Sequence, residues 1–397
     1  AVGALGTGNI VNDGVLSFKQ SDAMTMADAI SGLGIVKQEG SGTLTLSATN
    51  SYAGGTQVNA GTLAISTDRN LGAVPASFDA DNISLNGGAL QFTTGFTTLH
   101  AHRGITLAGN GTLSTDASVS VNYAGVIAGT AGLTKSGSGT FTLTNAQAYA
   151  GTTTVSGGVL NVGDGSNTTA ALGANSISIG TGATLNFNHS ADVTVANAIS
   201  GAGALNKLDT HTLTLTGVNS YTGATDTGTA GGVVYTNDTA PTTSGFTGSG
   251  AVTIEPATAS FASALGANYT YATTLTGLTL GKAGNLTDMT VDSLVHIAGP
   301  ITLYAPNITL NSGNISTTGG QTYNGAVTLG ANTTLASTAS GDITFGSTLN
   351  GAHTLVVNTS GATTFNGAVG GTTALTSLST DATGTVAING GSVRTTG

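Results

Sequence analysis

Carboxylates that could do acid–base chemistry are sparse in this chain. It has 397 residues with 18 Asp and Glu together, and its glutamates are Glu39 and Glu255. The closest acidic pair is Asp79 and Asp81 in SFDADNISL. If that segment is extended, both side chains point the same way and could bind calcium weakly or move protons, as clustered carboxylates do in polysaccharide-cleaving enzymes. A solvated turn is the favoured interpretation.

Two histidines, His100 and His102 in LHAHRG, form the best candidate metal site. On a strand they would lie on one face within reach of one metal, but a structural site needs about four ligands and no third is identifiable. We therefore expect exposed edge histidines. The sequence predicts no catalytic, cofactor-binding or metal-ligating residue and no cofactor.

Motifs and charge exclude several classes of function. G-x-S-x-G, G-x-G-x-x-G and P-loop motifs are missing, and so are the nonapeptide calcium repeats. The net charge is −10 and the eight Lys and Arg never sit side by side, so nucleic acid and anionic membranes are not expected partners. With no cysteine, disulfides, thiolate metal sites and cysteine nucleophiles are excluded. No uninterrupted apolar run of membrane-spanning length is present.

The segments that would position any functional site recur along the sequence as repeats. Residues 40–66, GSGTLTLSATNSYAGGTQVNAGTLAIS, return as GSGTFTLTNAQAYAGTTTVSGGVLNV at 137–162 and as DTHTLTLTGVNSYTGATDTG from 209. Equivalent positions are Ile30, Ile127 and Ile199, then Leu44, Phe141 and Leu213, then Tyr52, Tyr149 and Tyr221. We expect the three tyrosines to pack at a recurring corner rather than to form a ligand-facing row.

A shorter period in the last third indicates the fold. TYNGAV, TFGSTL and TFNGAV place Tyr323, Phe345 and Phe365 at spacings of 22 and 20 residues. About 21 residues per coil suits a β-solenoid whose short period-2 strands each point one face inward, with Gly and Asn at the corners. A single coil cannot bury its apolar side chains alone, whereas stacked coils share one core. The sequence therefore predicts an all-β solenoid of roughly 19 coils.

Composition supports this organisation. Hydrophobic residues make up 39% and charged residues 7% of the chain, whereas disordered chains combine low hydrophobicity with high charge. The predicted sections are a β-helix over 1–235, an irregular junction over 236–260, where Pro241 and Pro256 fall, and a second β-helix section over 261–397. Both ends resemble mid-shaft sequence, so a fragment of a longer chain is expected.

Residues 30–65, 127–162 and, more loosely, 199–224 resemble the autotransporter passenger-associated strand repeat of Gram-negative bacteria. Residues 275–316 and 323–378 resemble the shafts of filamentous-haemagglutinin-like adhesins. In the third copy GGT becomes GAT and GSGT becomes DTHT, which affects the local turns of that copy. The resemblance implies a right-handed parallel β-helix exported through an outer-membrane barrel and displayed extracellularly on the cell surface.

The function expected from this resemblance is a non-enzymatic shaft of a bacterial surface adhesin or biofilm fibre. Its partners would be surface ligands of host or bacterium or copies of itself, bound weakly and multivalently, and the translocator barrel during export. A carbohydrate-active β-helix enzyme is one alternative, which the few acids disfavour. An ice-binding solenoid is another, but it would need Thr-x-Thr on a flat face at every coil.

Overall fold

The computed structural model describes residues 8–381 and 383–397, and the strands over this part of the chain are short and numerous. No α-helix occurs among these residues, and the one helical element described is a 3₁₀ turn at Asp68–Leu71. None of the described helices is long and apolar enough to cross a membrane.

In the first half of the chain the strands are β1 Ile10–Val11, β2 Val15–Phe18, β3 Met24–Met26, β4 Ile30–Ser31, β5 Ile35–Gln38, β6 Thr43–Leu46, β7 Thr56–Val58, β8 Thr62–Ile65, β9 Asp79–Leu85, β10 Ala89–Phe92, β11 Thr98–Leu99, β12 Arg103–Leu107, β13 Gly111–Thr115, β14 Ser120–Tyr123, β15 Ile127–Gly129, β16 Leu133–Ser136, β17 Thr140–Leu143, β18 Ala148–Tyr149, β19 Thr153–Val155, β20 Val159–Val162, β21 Ile177–Ile179 and β22 Thr184–Phe187.

In the second half they are β23 Val193–Val195, β24 Ile199–Gly201, β25 Ala204–Lys207, β26 Thr212–Leu215, β27 Thr225–Asp226, β28 Gly232–Thr236, β29 Gly245–Thr247, β30 Ala251–Glu255, β31 Leu265–Gly266, β32 Thr270–Tyr271, β33 Leu278–Leu280, β34 Met289–Val291, β35 Val295–Ile297, β36 Ile301–Leu310, β37 Asn314–Thr317, β38 Gln321–Leu329, β39 Thr333–Ser337, β40 Ile343–Phe345, β41 Leu349–Asn350, β42 Thr354–Thr359, β43 Ala362–Phe365, β44 Ser377–Thr380 and β45 Thr385–Ile388.

The alternation of apolar residues with threonine explains why these segments are strands. In β6, TLTL, both leucines are buried and both threonines are half-buried. β26 repeats the same sequence and the same pattern of burial. Successive side chains of a strand point to opposite faces, so leucine faces the core while β-branched threonine suits the outer, pleated surface.

Contacts divide the chain into two compact units. Unit 1 comprises the residues up to Ala191 together with Asn197–Leu205. Its largest sheet is parallel, with nine strands in the order β24-β21-β19-β16-β13-β10-β8-β6-β3. A second, seven-stranded sheet runs β18-β15-β12-β9-β7-β5-β2. The register places the same type of residue side by side on successive strands. In one inward column, for example, the successive partners are Leu44, Leu63, Leu90 and Leu113.

Unit 2 comprises Asp192–Ala196 together with Asn206–Gly397. Its main path has ten strands in the order β23-β26-β28-β30-β33-β36-β38-β40-β43-β45, with a five-stranded sheet β35-β37-β39-β42-β44 beside it. Tyr323, Phe345 and Phe365 pair in register, and their rings stack 5.1 Å apart in both steps. The aromatic spacing found in the sequence therefore marks one turn of the winding.

The predicted β-solenoid is confirmed, with parallel strands and roughly 20 residues per turn. The right-handed sense of the winding stays a prediction. So does the junction at 236–260. In the structure this segment contains β29 and β30, and each pairs in parallel with strands of unit 2 before and after it.

Candidate functional site

The acidic pair lies on a strand, so the prediction of a solvated turn at Asp79 and Asp81 was wrong. Both belong to β9, and Asp79 pairs in register with Arg103 of β12. Asp79 is half-buried and its carboxylate accepts a hydrogen bond from the Asn82 amide at 3.3 Å, while Asp81 is exposed. This pairing with β12, which includes a register shift, holds the segment extended.

The two histidines do meet, but on a turn rather than on a strand. His100 and His102 precede β12, their ring centroids are 4.8 Å apart, and the His102 backbone N–H donates to His100 Nδ1 at 3.1 Å. The strand prediction failed because the chain turns here, with the Arg103 N–H bonded to the His100 carbonyl. Among residues 8–381 and 383–397, no group of three or more His, Cys, Asp or Glu could hold a metal.

Beside these pairs lies a buried guanidinium that the sequence did not point to. Arg103 is fully buried, and its Nε lies 3.1 Å from the Asp68 carboxylate. Its remaining donors reach the Asn82 side-chain oxygen at 2.9 Å and the carbonyls of Leu71 and Gly72 at 3.0 and 2.8 Å. A planar, multiply donating guanidinium suits such a site. Arg103 therefore anchors the long loop between β8 and β9 to β12.

The repeat tyrosines occupy the same interior corner in all three copies, as predicted. Each ring is at most 1% exposed, and burial raises the pKa of each phenol. Each phenol oxygen forms a hydrogen bond with the threonine four residues later, in the pairs Tyr52–Thr56 at 2.7 Å, Tyr149–Thr153 at 2.5 Å and Tyr221–Thr225 at 2.6 Å. The threonine of the GGT, GTT or GAT motif is thus a structural part of the repeat, which the sequence reasoning missed.

A glycine closes over the first two of these rings. A Cβ at Gly72 would lie 2.9 Å from Tyr52 ring atoms, and a Cβ at Gly173 would lie 2.7 Å from Tyr149 ring atoms. Real Cβ contacts are essentially never this short, so a larger residue would displace the ring or the turn. Both glycines follow a leucine in the sequence LGA, a shared signal that could have been found.

A second interior position also recurs in the three copies. It lies eight residues after Ile30, Ile127 and Ile199 and is occupied by Gln38, Lys135 and Lys207, whose exposed fractions are 2%, 1% and 0%. These long polar side chains take core positions that leucine fills elsewhere, since Lys135 pairs in register with Leu113 and Val155.

The end groups at this position cap backbone carbonyls of the turns. Lys135 Nζ donates to the carbonyls of Ser136, Gly137 and Gly157 at 2.9, 3.0 and 3.0 Å, so its three protons have three acceptors. Gln38 Nε2 donates to the carbonyls of Gly40 and Gly42. Buried polar groups need such partners, so these amine and amide groups bond carbonyls that the strand ladders leave free.

The third copy differs at this turn, where its sequence departs from the repeat. Lys207 Nζ donates to the carbonyls of Asp209 and Ala230 at 2.6 and 2.8 Å, and lies 3.4 Å from the Asp209 carboxylate. The same carboxylate accepts the His211 backbone N–H. Asp209 thus occupies the turn position that glycine occupies in the other copies, and Lys207 still donates to the carbonyls of the turns.

A third polar position lies two residues before each tyrosine and is also buried. In the first copy the Asn50 side-chain oxygen accepts the Ile30 N–H at 2.8 Å, and in the second the Gln147 oxygen accepts the Ile127 N–H at 2.7 Å. In the third copy Asn219 donates to the Gly217 carbonyl. The three recurring positions are therefore structural: the two polar positions bond backbone groups of the turns, and the tyrosine bonds the buried threonine.

Two columns on the outer face of the nine-stranded sheet of unit 1 consist mainly of hydroxyl side chains and contain no charged residue. In register along β6 to β24, the outward residues are Thr43, Thr62, Ala89, Thr112, Thr134, Thr154, Ser178 and Ser200. The neighbouring column on the same face is Thr25, Thr45, Ala64, Gln91, Ser114 and Ser136, in which Ala64 is buried. A double threonine array does not repeat along this sheet, as an ice-binding face would require.

Comparison with known proteins identifies the repeated unit. Residues 37–65, 133–162 and 205–231 match the model of the passenger-associated-transport-repeat. Each matched segment contains one carbonyl-capping Gln or Lys and one tyrosine–threonine pair. The resemblance of these segments to the autotransporter passenger repeat is confirmed, whereas the likeness of 275–316 and 323–378 to filamentous-haemagglutinin shafts stays a prediction.

One curated relative is the adhesin BmaC autotransporter of Brucella suis biovar 1 (strain 1330), which is 34% identical over 183 residues. The aligned part is 46% of this chain but only 5% of that relative. The chain thus matches a small part of a much longer protein. The comparison with solved structures gave no match.

Removing both hydroxyls of a tyrosine–threonine pair should cost less than the sum of the two single removals. Tyr149→Phe leaves Thr153 Oγ1 buried with its partner lost, and we expect about 1 kcal/mol of destabilisation, with a similar cost for Thr153→Val. In Tyr149→Phe/Thr153→Val neither orphaned group remains, so the costs should be less than additive by about 0.5 kcal/mol or more. Urea unfolding of the four proteins measures this coupling, and strict additivity would contradict the hydrogen-bonded pair.

Lys135 should make stability depend on pH. Burial lowers the pKa of its amine from 10.5 to about 8. Below about pH 8 the amine is charged in both folded and unfolded states, and folding carries the full cost of burying the charge. Between about 8 and 10.5 the unfolded state binds more protons, so the free energy of unfolding should rise with pH.

The measurement is the free energy of unfolding of the wild type minus that of Lys135→Met, determined by urea titration across this pH range. Ionisation of the tyrosines is common to both proteins and cancels in the difference. Lys37→Met is the matched control, because Lys37 lies one position out of phase in the first copy, on the outer face. A difference for Lys135 that is flat or falls with pH would contradict the buried amine.

Proposed function

We propose that this chain is a non-enzymatic structural segment of the passenger of a bacterial surface adhesin. It would be exported across the outer membrane through a translocator barrel and displayed outside the cell. The observation that carries the proposal is the repeat itself, since its three matched segments place their distinctive polar residues inside the solenoid, where they stabilise turns. The adhesin relative supports the same assignment.

The surface chemistry supports adhesion through many weak contacts. The outward column of unit 1 presents hydroxyl groups on every strand of its sheet from β6 to β24 except β10, where Ala89 stands, and neighbouring strands lie about 4.8 Å apart. Each hydroxyl contact with a ligand is weak, but linked contacts raise the overall avidity without any strong single site. The ligand would be a surface of the host, of another bacterium or of a second copy of the chain.

The chain's composition supports export as an unfolded thread. Without cysteine, no crosslink can form in an oxidising compartment before the chain has passed the barrel. Low charge suits the stacked turns as well, because like charges on adjacent strands repel. The proposal therefore explains the absence of cysteine by export through the barrel, and the scarcity of charge by the stacked turns of the solenoid.

The absence of catalysis is part of the proposal and is supported by the placement of the acids. Asp79 is held by Asn82 beside the buried Arg103, and Asp81 is exposed at the start of the same strand. A polysaccharide-cleaving activity of the purified chain that Asp79→Asn or Asp81→Asn abolished would contradict this part, as measured by release of reducing ends or unsaturated products.

Displaying the chain on a non-adherent laboratory strain tests the proposed function. Fused to the translocator barrel of a characterised autotransporter, the chain should reach the cell surface, resist added protease, and increase attachment to cultured cells or cell–cell aggregation severalfold, since many copies act together. The control is the same barrel without the chain, at equal surface density. A chain that is displayed and protease-resistant but changes neither attachment nor aggregation would contradict the proposal.

A further inference from the structure

The winding of unit 2 is interrupted at one place by a β-bulge. β36 and β38 pair in register up to Tyr304 and Asn324, and again from Asn307 and Ala326, with a register shift between. The two residues Ala305 and Pro306 therefore lie opposite the single residue Gly325. Bulges redirect side chains and are frequent next to functional sites, and proline within a sheet is tolerated at bulges.

Tyr304 is placed at this bulge with its side chain directed outward. It alternates with the buried Leu303 and Ala305 and is itself half-buried. Most other tyrosines of the chain are fully buried, as are the rings of the repeat corners. A partly exposed aromatic ring is thus unusual on a surface composed mainly of hydroxyl groups and small side chains.

Glycines allow neighbouring turns to approach the backbone closely at this bulge. Gly281, with φ of 78°, lies against Tyr304 on one side, and a Cβ there would collide with the Tyr304 carbonyl oxygen. On the other side Asn324 is the register partner, followed by Gly346. At Gly325 a Cβ would collide with the Ala305 carbonyl oxygen. Larger residues at these positions would require the bulge to rearrange.

The result is an open groove of about 430 Å³, lined by Tyr304, Asn324, Pro306, Lys282 and Asn285 among others. This volume is within the usual range for small-molecule sites. Lys282 Nζ donates to the Pro256 carbonyl at 2.7 Å, and Asn285 Nδ2 donates to the Tyr304 carbonyl at 2.9 Å, so the polar wall is fixed. Among the residues that the structure describes, no carboxylate lines the groove.

Two polar groups in the groove are free to bind a ligand. Within the described part of the chain, neither the Tyr304 hydroxyl nor the Asn324 side-chain amide forms a hydrogen bond to protein, in contrast to the paired tyrosines of the repeats. An amide offers both donors and acceptors, and a phenol offers one of each. Next to an aromatic face, this set matches a ligand with hydroxyl groups on its edge and C–H groups on its face.

We propose that this groove binds a neutral saccharide, with one sugar ring lying on the Tyr304 ring and its hydroxyl groups bonded to Asn324 and the Tyr304 hydroxyl. The C–H groups on the face of a sugar ring carry partial positive charge and meet the negative face of the aromatic ring. An anionic saccharide is disfavoured because the chain's net charge is −10 and the lysine in the groove is already bonded to a carbonyl. The site goes beyond the proposed adhesin segment and can fail independently of it.

Saturation-transfer difference NMR on the purified 397-residue chain tests the site. The probes are neutral tetrasaccharides ending in glucose, galactose, mannose or N-acetylglucosamine, a sulfated tetrasaccharide, and a proline-rich peptide. At least one neutral probe should bind with a dissociation constant of about 1 mM or below, with saturation concentrated on the C–H protons of one sugar face. Failure of every neutral probe, or stronger binding of the sulfated probe or the peptide, would overturn the proposal.

Variants on the outer face of β36 separate the site from general surface binding. Tyr304→Ala should weaken binding by about tenfold, a loss of about 1.4 kcal/mol, because it removes both the ring on which the sugar lies and one hydroxyl partner. Tyr304→Phe should retain most of the affinity, and Asn324→Ala should reduce it. Thr302→Ala is the matched control, two residues away on the same face. Circular dichroism verifies that each variant is folded, and equal binding by folded Tyr304→Ala would refute the assignment.

Discussion

Parallel, in-register stacking of successive turns is the constraint on which the rest of the structure depends. Neighbouring strands lie about 4.8 Å apart, so each residue meets its counterpart of the next turn at contact distance. Apolar residues then form continuous columns, such as Leu44, Leu63, Leu90 and Leu113. Charged residues would repel along such columns, which accounts for a surface of threonine and serine and a chain with only 7% charged residues.

The corners set a second requirement, because turns leave backbone carbonyls and N–H groups that the ladders do not pair. The repeats meet it from inside, with Gln38, Lys135 or Lys207 on turn carbonyls and Asn50 or Gln147 on the isoleucine N–H. An unsatisfied buried polar group costs about 1–3 kcal/mol. These residues recur because every corner of the same geometry leaves the same backbone groups without a hydrogen-bond partner. The tyrosine–threonine pair fills the space beside that corner.

Periodic features of this fold could be predicted from the sequence, and single features could not. The tyrosine corners were found because the same residue returns at the equivalent position of each repeat, and the Tyr323, Phe345 and Phe365 stack because an aromatic residue returns after each turn. The inward lysines had a detectable signal, since Lys135 shares the strand phase of Leu133, but an isolated lysine is normally solvated. Arg103 gave no signal, because its partners come from a loop whose path depends on the structure. The turn at His100 and the strand at Asp79 were misjudged for the same reason.

Disulfide trapping of the strand register tests the stacked winding most directly, and the lack of native cysteine makes it unambiguous. Thr112 and Thr134 face outward and are register partners, whereas Thr112 and Ser136 are offset by two residues. Partners on adjacent strands lie within the Cα separation of about 4.4–6.8 Å that a disulfide spans, and the offset pair lies beyond about 7 Å. Under mild oxidation, Thr112→Cys/Thr134→Cys should crosslink and Thr112→Cys/Ser136→Cys should not. Equal crosslinking of both pairs, or preferential crosslinking of the offset pair, would contradict the in-register parallel solenoid.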